Sequence, residues 1–365
     1  MPRRVRSVLT ATTLVPLVAI VTLGLSWGHH LSTLLSLVIA VVLAAAVLVA
    51  VHHAEVVALR VGEPFGSLAL AVAVTVIEVG LIVTLMLSGG PDTASLARDT
   101  VFAAVMITCN GILGLSLLLG ALRYGVTVFN AEGAGAALAT VATLATLSLV
   151  LPTFTSARPG PEFSPAQLAF AAIASLALYA MFVLTQTVRH RDFFLPVGVD
   201  DAGPQDDGHA GPPTTRAALV SLILLLVALV AVVGLAKVES PAIEDAVAAL
   251  GLPQSFVGVV IALLVLLPET LAAANAARRN RLQISLNLAL GSAMASIGLT
   301  IPVIAVASIW LPGRLLLGLG PTQTVLLAIT VVVGLLTVVP GRATRLQGEV
   351  HLVLLAAFVF LAARP

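Results

Sequence analysis

The sequence predicts an all-α polytopic membrane protein of about eleven transmembrane helices, one N-terminal helix followed by two inverted five-helix repeats. Three observations predict it. Hydrophobic residues fill 59% of the 365 positions and charged residues only 10%, whereas soluble domains carry roughly 25% charged residues. Apolar stretches of about 20 residues recur along the whole length, and helices satisfy their own backbone in lipid. A polar stretch after the sixth apolar segment divides the chain into parts whose corresponding segments carry corresponding acids. A soluble enzyme is excluded, and no basic, aromatic-rich patch suggests a nucleic-acid partner.

The opening MPRRVRSVLTATTLVPLVAIVTLGL has the basic start and apolar run of a signal peptide but no small-x-small cleavage site. It reads as a retained first helix near residues 7 to 25, within an N-terminal region 1–30. Apolar windows, cut at Pro, Gly and charge clusters, then fall near 31 to 52, 66 to 88, 101 to 122, 135 to 152 and 165 to 188, making a first half over 31–188. Residues 189–216 form an acidic, Gly/Pro-rich cytoplasmic linker, in which Asp200, Asp201, Asp206 and Asp207 serve solubility. Windows near 217 to 236, 254 to 275, 285 to 310, 321 to 340 and 349 to 363 make a second half over 217–365. Between the first two of these, SPAIEDAVAALGLP (240 to 253) reads as a separate amphipathic helix on the outer surface, with Glu244 and Asp245 on its polar side.

With the MPRRVR end cytoplasmic, thirteen of the 18 Lys and Arg residues fall inside and five outside, as the positive-inside rule requires. Five helices per half, an odd number, invert one half relative to the other, the architecture of many secondary transporters. Lys237 is the one lysine among the basic residues, a bias of GC-rich bacterial genomes, so the expected location is a bacterial cytoplasmic membrane. Cys109 stands alone and reads as a packing residue. His29 and His30 fall in an outer loop, His52 and His53 at a helix end, and His190 and His209 beside the linker, none with metal-ligand spacing. The sequence is silent on oligomeric state.

The chemistry lies in polar residues inside the apolar segments. A charged side chain near the bilayer centre costs about 2.5 to 3.5 kcal/mol even on insertion scales, so an acid there points to function. Glu78 lies in the second helix of the first half and Glu269 in the second helix of the second half. The third helices lie on one another without gaps, setting Asn110 against Ser292 and Gly114 against Ser296. Hard cations exchange their water for carboxylate, amide, hydroxyl and carbonyl oxygens. Glu78 and Glu269 supply the charge of such a site, and Thr75, Asn110, Ser292 and Ser296 are candidate further ligands, each equally readable as interhelical glue. Asn275 and Asn287 read as helix-end caps. Pro268 removes a backbone hydrogen bond beside Glu269, which predicts a broken helix at LLPE. A site that holds either protons or a cation is the minimum apparatus for antiport. No G-x-x-x-x-G-K-[ST] motif points to an ATP-driven pump. An organic-solute transporter is the remote alternative, and the core helices lack the aromatic and Arg groups that it would use.

Three segments carry a family likeness: VTVIEVGLIVTLM (74 to 86), ARDTVFAAVMITCNGILGLSLLLGALR (97 to 123) and LLPETLAAANAARRNRLQISLNLALGSAMASIGLTIP (266 to 302). They resemble the paired repeats of the calcium/cation antiporter superfamily, in the branch of bacterial calcium/proton antiporters of the ChaA type. The resemblance implies a sodium/calcium exchanger-like fold, no cofactor, and Ca2+ and H+ as the exchanged ions. It implies Glu78 and Glu269 as the acids that bind cation or proton in turn, Ser292 as a residue lining the site, and Asn110 as its counterpart. Many members carry Gly-Asn-x-x-Glu in both repeats, whereas this chain reads VTVIE and VLLPE, with Thr75 and Leu266 in place of the asparagines. The implied ligand set is poorer in amide oxygens, and members of this branch are also associated with Na+ and K+ exchange.

Overall fold

The structure, a computed structural model, describes residues 3–29, 31–62, 65–88, 93–196, 213–310 and 313–365. Its helices are α1 (Arg3–Ser26), α2 (Thr33–Val61), α3 (Phe65–Ser88), α4 (Leu96–Tyr124), α5 (Ala131–Phe154), α6 (Pro165–Arg189), α7 (Thr215–Ala249), α8 (Phe256–Val265), α9 (Leu267–Arg278), α10 (Leu282–Ala307), α11 (Pro321–Val338) and α12 (Arg345–Ala363). Nine of them, among the described residues, are long and apolar enough to cross a membrane, and α8 with α9 makes a tenth as one bent span. The eleventh expected segment is α1, whose described apolar part, Ala11–Ser26, is shorter. Residues 197–212 of the expected linker, with Asp200, Asp201, Asp206, Asp207 and His209, lie outside the described residues. The linker's first residues include a 3-10 turn, Arg191–Phe194.

The chain packs as two units. The first comprises residues 1–90 and 206–251, the second 91–205 and 252–365, so each draws on residues from both sides of the linker.

In the first unit α2 and α7 pack along one another, flanked by α1 and α3. Small side chains make this possible: Ala46, Ala50 and Ala54 recur every fourth residue on α2 and are buried, as are Ala228 and Ala231 on α7. Arg60 donates to Thr215 Oγ1 at 2.9 Å, joining the end of α2 to the start of α7. The expected separate helix at 240–253 does not exist as such. Instead α7 runs on through Pro241 to Ala249, with Ser240 donating its hydroxyl to Glu244 Oε1 at 3.2 Å across the proline and Val247 buried beyond it, and Gly251, at φ 66°, stops the chain. His53, expected at a helix end, is also integral to the packing. It lies within α2, 4% exposed, with Nε2 3.0 Å from the Thr12 carbonyl of α1.

In the second unit α4 is central, packed against α8, α9, α10 and α12. Its middle, Ile107–Ile112, is a π-helix, where Leu113 N–H reaches the carbonyl of Thr108 five residues back. Thr108 contributes by turning its hydroxyl onto the Ala104 carbonyl at 2.7 Å, which competes with the regular ladder. The loops are tied by a two-stranded antiparallel ribbon, β1 (Thr127–Val128) on β2 (Arg342–Ala343). Asn130 caps α5 through Glu132 N–H and Gly133 N–H, and a Ser164/Gln167 capping box starts α6.

Candidate cation site

The first unit holds one of the two acids. Glu78 lies midway along α3 and is 3% exposed, with Thr75 one turn earlier at 5%. Two residues beyond Glu78, a Cβ on Gly80 would come within 2.5 Å of Val233 Cγ2, so α3 lies close against α7 there. Further along α7, Glu239 is 2% exposed, and its Oε1 meets no hydrogen-bond partner among the described residues.

The second unit holds the other candidates. Helices α8 and α9 meet at a 54° bend. Pro268, with no N–H to donate, lies in the first turn of α9. Glu269 follows in the same turn, half-buried, where the aligned peptide dipoles favour a negative charge. Next to it, Thr270 donates its hydroxyl to the Leu266 carbonyl at 2.7 Å. On α10, Ser292 is half-buried and Ser296, one turn on, is 4% exposed. Asn110 is fully buried in the π segment of α4. That segment packs against α9, α10, α11 and α12, so within this unit it adjoins both the helix of Glu269 and the helix of the two serines. A π turn displaces carbonyls from the regular ladder and recurs at functional sites.

Asn110 sits in a buried hydrogen-bonded chain. Its Nδ2 donates to Thr330 Oγ1 at 2.9 Å, and Thr330 in turn directs its hydroxyl at Met106 Sδ, 3.6 Å away. The Asn110 Oδ1 is 3.1 Å from His351 Nδ1, and His351 Nε2 is 3.1 Å from Thr337 Oγ1. Since the amide nitrogen goes to Thr330, Oδ1 accepts from an Nδ1–H, and a ring protonated at Nδ1 alone accepts the Thr337 hydroxyl at Nε2. His351 is fully buried. Sequence reasoning passed over His351, Thr330, Thr337 and Glu239. His351 and Glu239 are ionisable but lie beside other charges at the ends of apolar windows, Glu349 and Lys237 respectively, so they read as helix-end polarity, and the threonines look like any other small polar residue in a membrane helix.

Of the expected caps, Asn287 binds the Phe194 carbonyl at 2.7 Å and receives Gln283 Nε2 at 3.0 Å, while Asn275 is exposed. Cys109 is buried and free. Two other acids of this unit are already neutralised. Asp99, 4% exposed at the edge of a cavity of about 220 Å3, receives Ser95 Oγ at 2.7 Å and Arg98 Nε at 2.8 Å. Glu162, in the loop before α6, accepts Arg158 Nη1 at 2.6 Å and Arg314 Nε at 2.9 Å. Burial alone would raise the Glu162 carboxyl, but the hydrogen bonds and positive charge of Arg314 and Arg158 outweigh it and hold the group below the ordinary glutamate range.

The family model described as sodium/calcium exchanger protein matches residues 29–188 and 220–364. The y4hA protein of Sinorhizobium fredii is 47% identical over 359 residues, covering 96% of this chain and 95% of its own. The sodium-potassium/proton antiporter ChaA of Escherichia coli is 36% identical over 351 residues, covering 94% and 93%. Among solved structures, the H+/Ca2+ exchanger CAX superposes with a TM-score of 0.72 over 99% of this chain and 93% of its own, at 15% identity, a likeness of fold. The chain therefore belongs to the sodium/calcium exchanger protein family, a membrane transporter and not an enzyme.

Proposed function

We propose that the chain is a secondary active cation/proton antiporter of the bacterial cytoplasmic membrane, with its N-terminus inside, that exports Ca2+ as protons return. One correspondence in the sequence carries the reading: Glu78 and Glu269 are acids in the second apolar segments of two halves, 31–188 and 217–365, which five helices apiece would set in opposite directions. In this reading the two carboxylates form one midplane site and bind either the cation or protons. Thr75, Asn110, Ser292 and Ser296 add neutral oxygens, and Pro268 bends the helix so that a backbone carbonyl near Glu269 is left without its donor. Alternating access exposes the site to one side of the membrane at a time, and each ion biases the state in which it binds better. Family membership and the likeness to ChaA support cation exchange against protons.

A second reading, Na+ or K+ as the cation, is favoured by the name of the ChaA relative and by the poorer set of amide oxygens. Everted vesicles with a preformed proton gradient test both. Addition of Ca2+, Na+, K+ or Mg2+ identifies the cation by the loss of gradient that it causes. Glu269→Gln and Glu78→Gln should each abolish that loss. A Glu269→Gln protein exchanging at the normal rate would overturn the site.

A further inference from the structure

We propose that His351 is a positioning residue that sets cation preference by holding the side-chain oxygen of Asn110 on the α11/α12 side of the second unit. The inference rests on the antiporter reading and on Asn110 as the first-repeat counterpart of Ser292. Both polar ends of the Asn110 amide are engaged: Oδ1 with His351 at 3.1 Å and Nδ2 with Thr330 at 2.9 Å. The imidazole has little freedom to let go. It is fully buried, and Thr337 holds its far nitrogen at 3.1 Å. It also sits where α4 and α12 touch. A Cβ on Gly114 would come within 2.8 Å of His351 Cβ, and one on Gly348 within 2.7 Å of the Leu118 backbone nitrogen. These two glycines bring the helix of His351 against α4 in the turns just beyond the π segment, and no side chain can intervene there.

A neutral amide oxygen counts most for Ca2+, which takes six to eight oxygen ligands. While His351 draws on Oδ1, that oxygen is a weaker ligand for the cation than it would be unheld. The restraint weighs more on Ca2+ than on a cation that demands fewer ligands. Releasing Oδ1 should strengthen a neutral ligand and shift preference further toward Ca2+.

The test measures exchange in everted vesicles for Ca2+ and for Na+ or K+, whichever the wild type transports, as KM and maximal rate separately. His351→Ala should raise the ratio of Ca2+ to monovalent apparent affinity by about fivefold or more, with the change in KM. His351→Gln, whose amide can donate to Oδ1 and accept from Thr337, should return the ratio toward wild type. Thr337→Val, which keeps the imidazole but removes its second anchor, should move the ratio in the same direction as His351→Ala and by less. In an Asn110→Ala background the His351→Ala shift should vanish, since no oxygen remains to release. An unchanged ratio in His351→Ala, or in Thr337→Val should His351→Ala not reach the membrane, overturns the proposal. So does an equal shift in the Asn110→Ala background. Wild-type protein that exchanges no cation for protons would instead overturn the antiporter reading.

Discussion

Glu162 accepts a hydrogen bond from Arg314 at 2.9 Å, which joins the loop before α6 to the loop before α11 across 152 positions of sequence. Arg314 extends the clasp by donating to the Pro159 carbonyl at 2.7 Å, and the Gly318 N–H reaches the Pro161 carbonyl at 3.0 Å. Because the folded state holds the Glu162 carboxyl below its unfolded value, the clasp stabilises fully above about pH 4.3 and is lost as pH falls through the folded value. The arginines are 46% and 59% exposed, so solvent screening limits the effect to about 1 kcal/mol. Thermal unfolding of purified protein should therefore weaken below about pH 4.3 in the wild type. Glu162→Gln should lower the melting temperature near neutrality and lose this part of the acid dependence.

The contact of α4 with α12 gives a second prediction. A Cβ on Gly348 would meet the Leu118 backbone nitrogen at 2.7 Å and the Gly114 carbonyl at 2.9 Å, and backbone atoms cannot swing aside as a side chain can. Gly348→Ala should cost about 1 to 3 kcal/mol of stability. A melting temperature equal to wild type in detergent would show that these helices separate freely.

Pro268 can be tested apart from the acid beside it. Pro268→Ala restores an N–H that can close the hydrogen-bond ladder across the 54° bend. Exchange should slow by about tenfold as the bend relaxes and Glu269 is re-aimed, while expression and melting temperature hold or improve. Unaltered exchange would mean that the bend is dictated by packing alone.

Competition at shared acids gives a fourth prediction. If protons and cation displace one another, the apparent KM for the cation should rise as pH falls, by up to about tenfold per pH unit for each proton displaced. A KM that stays flat while the maximal rate changes would separate the proton site from the cation site.

The spans were legible where hydropathy governs, because a membrane helix must be apolar for long enough to cross. Boundaries were less so. His52, His53 and the AEVVALRV stretch after them look like a helix end on hydropathy, yet α2 continues to Val61 because His53 has a partner on α1. Pro241 likewise looks like a stop, and tertiary packing carries α7 through it. The internal repeat puts forward Glu78 and Glu269 and the Asn110/Ser292 correspondence as candidates, and burial of Glu78 and Asn110 is what the structure adds. The threonine and histidine partners of Asn110 come from helices more than 200 residues later in the chain, and such pairings leave no trace in local pattern.

The length of α7 has its own implication. Thirty-five helical residues reach about 52 Å, whereas the hydrocarbon core is about 30 Å thick. The helix must lean, stand clear of the lipid, or both, and a lean answers to its packing on α1, α2 and α3 and is biased by the thickness of the surrounding bilayer. The lipid then becomes a mechanical participant. Reconstituted in vesicles of progressively longer acyl chains, the protein should pass through an optimum of turnover at one membrane thickness.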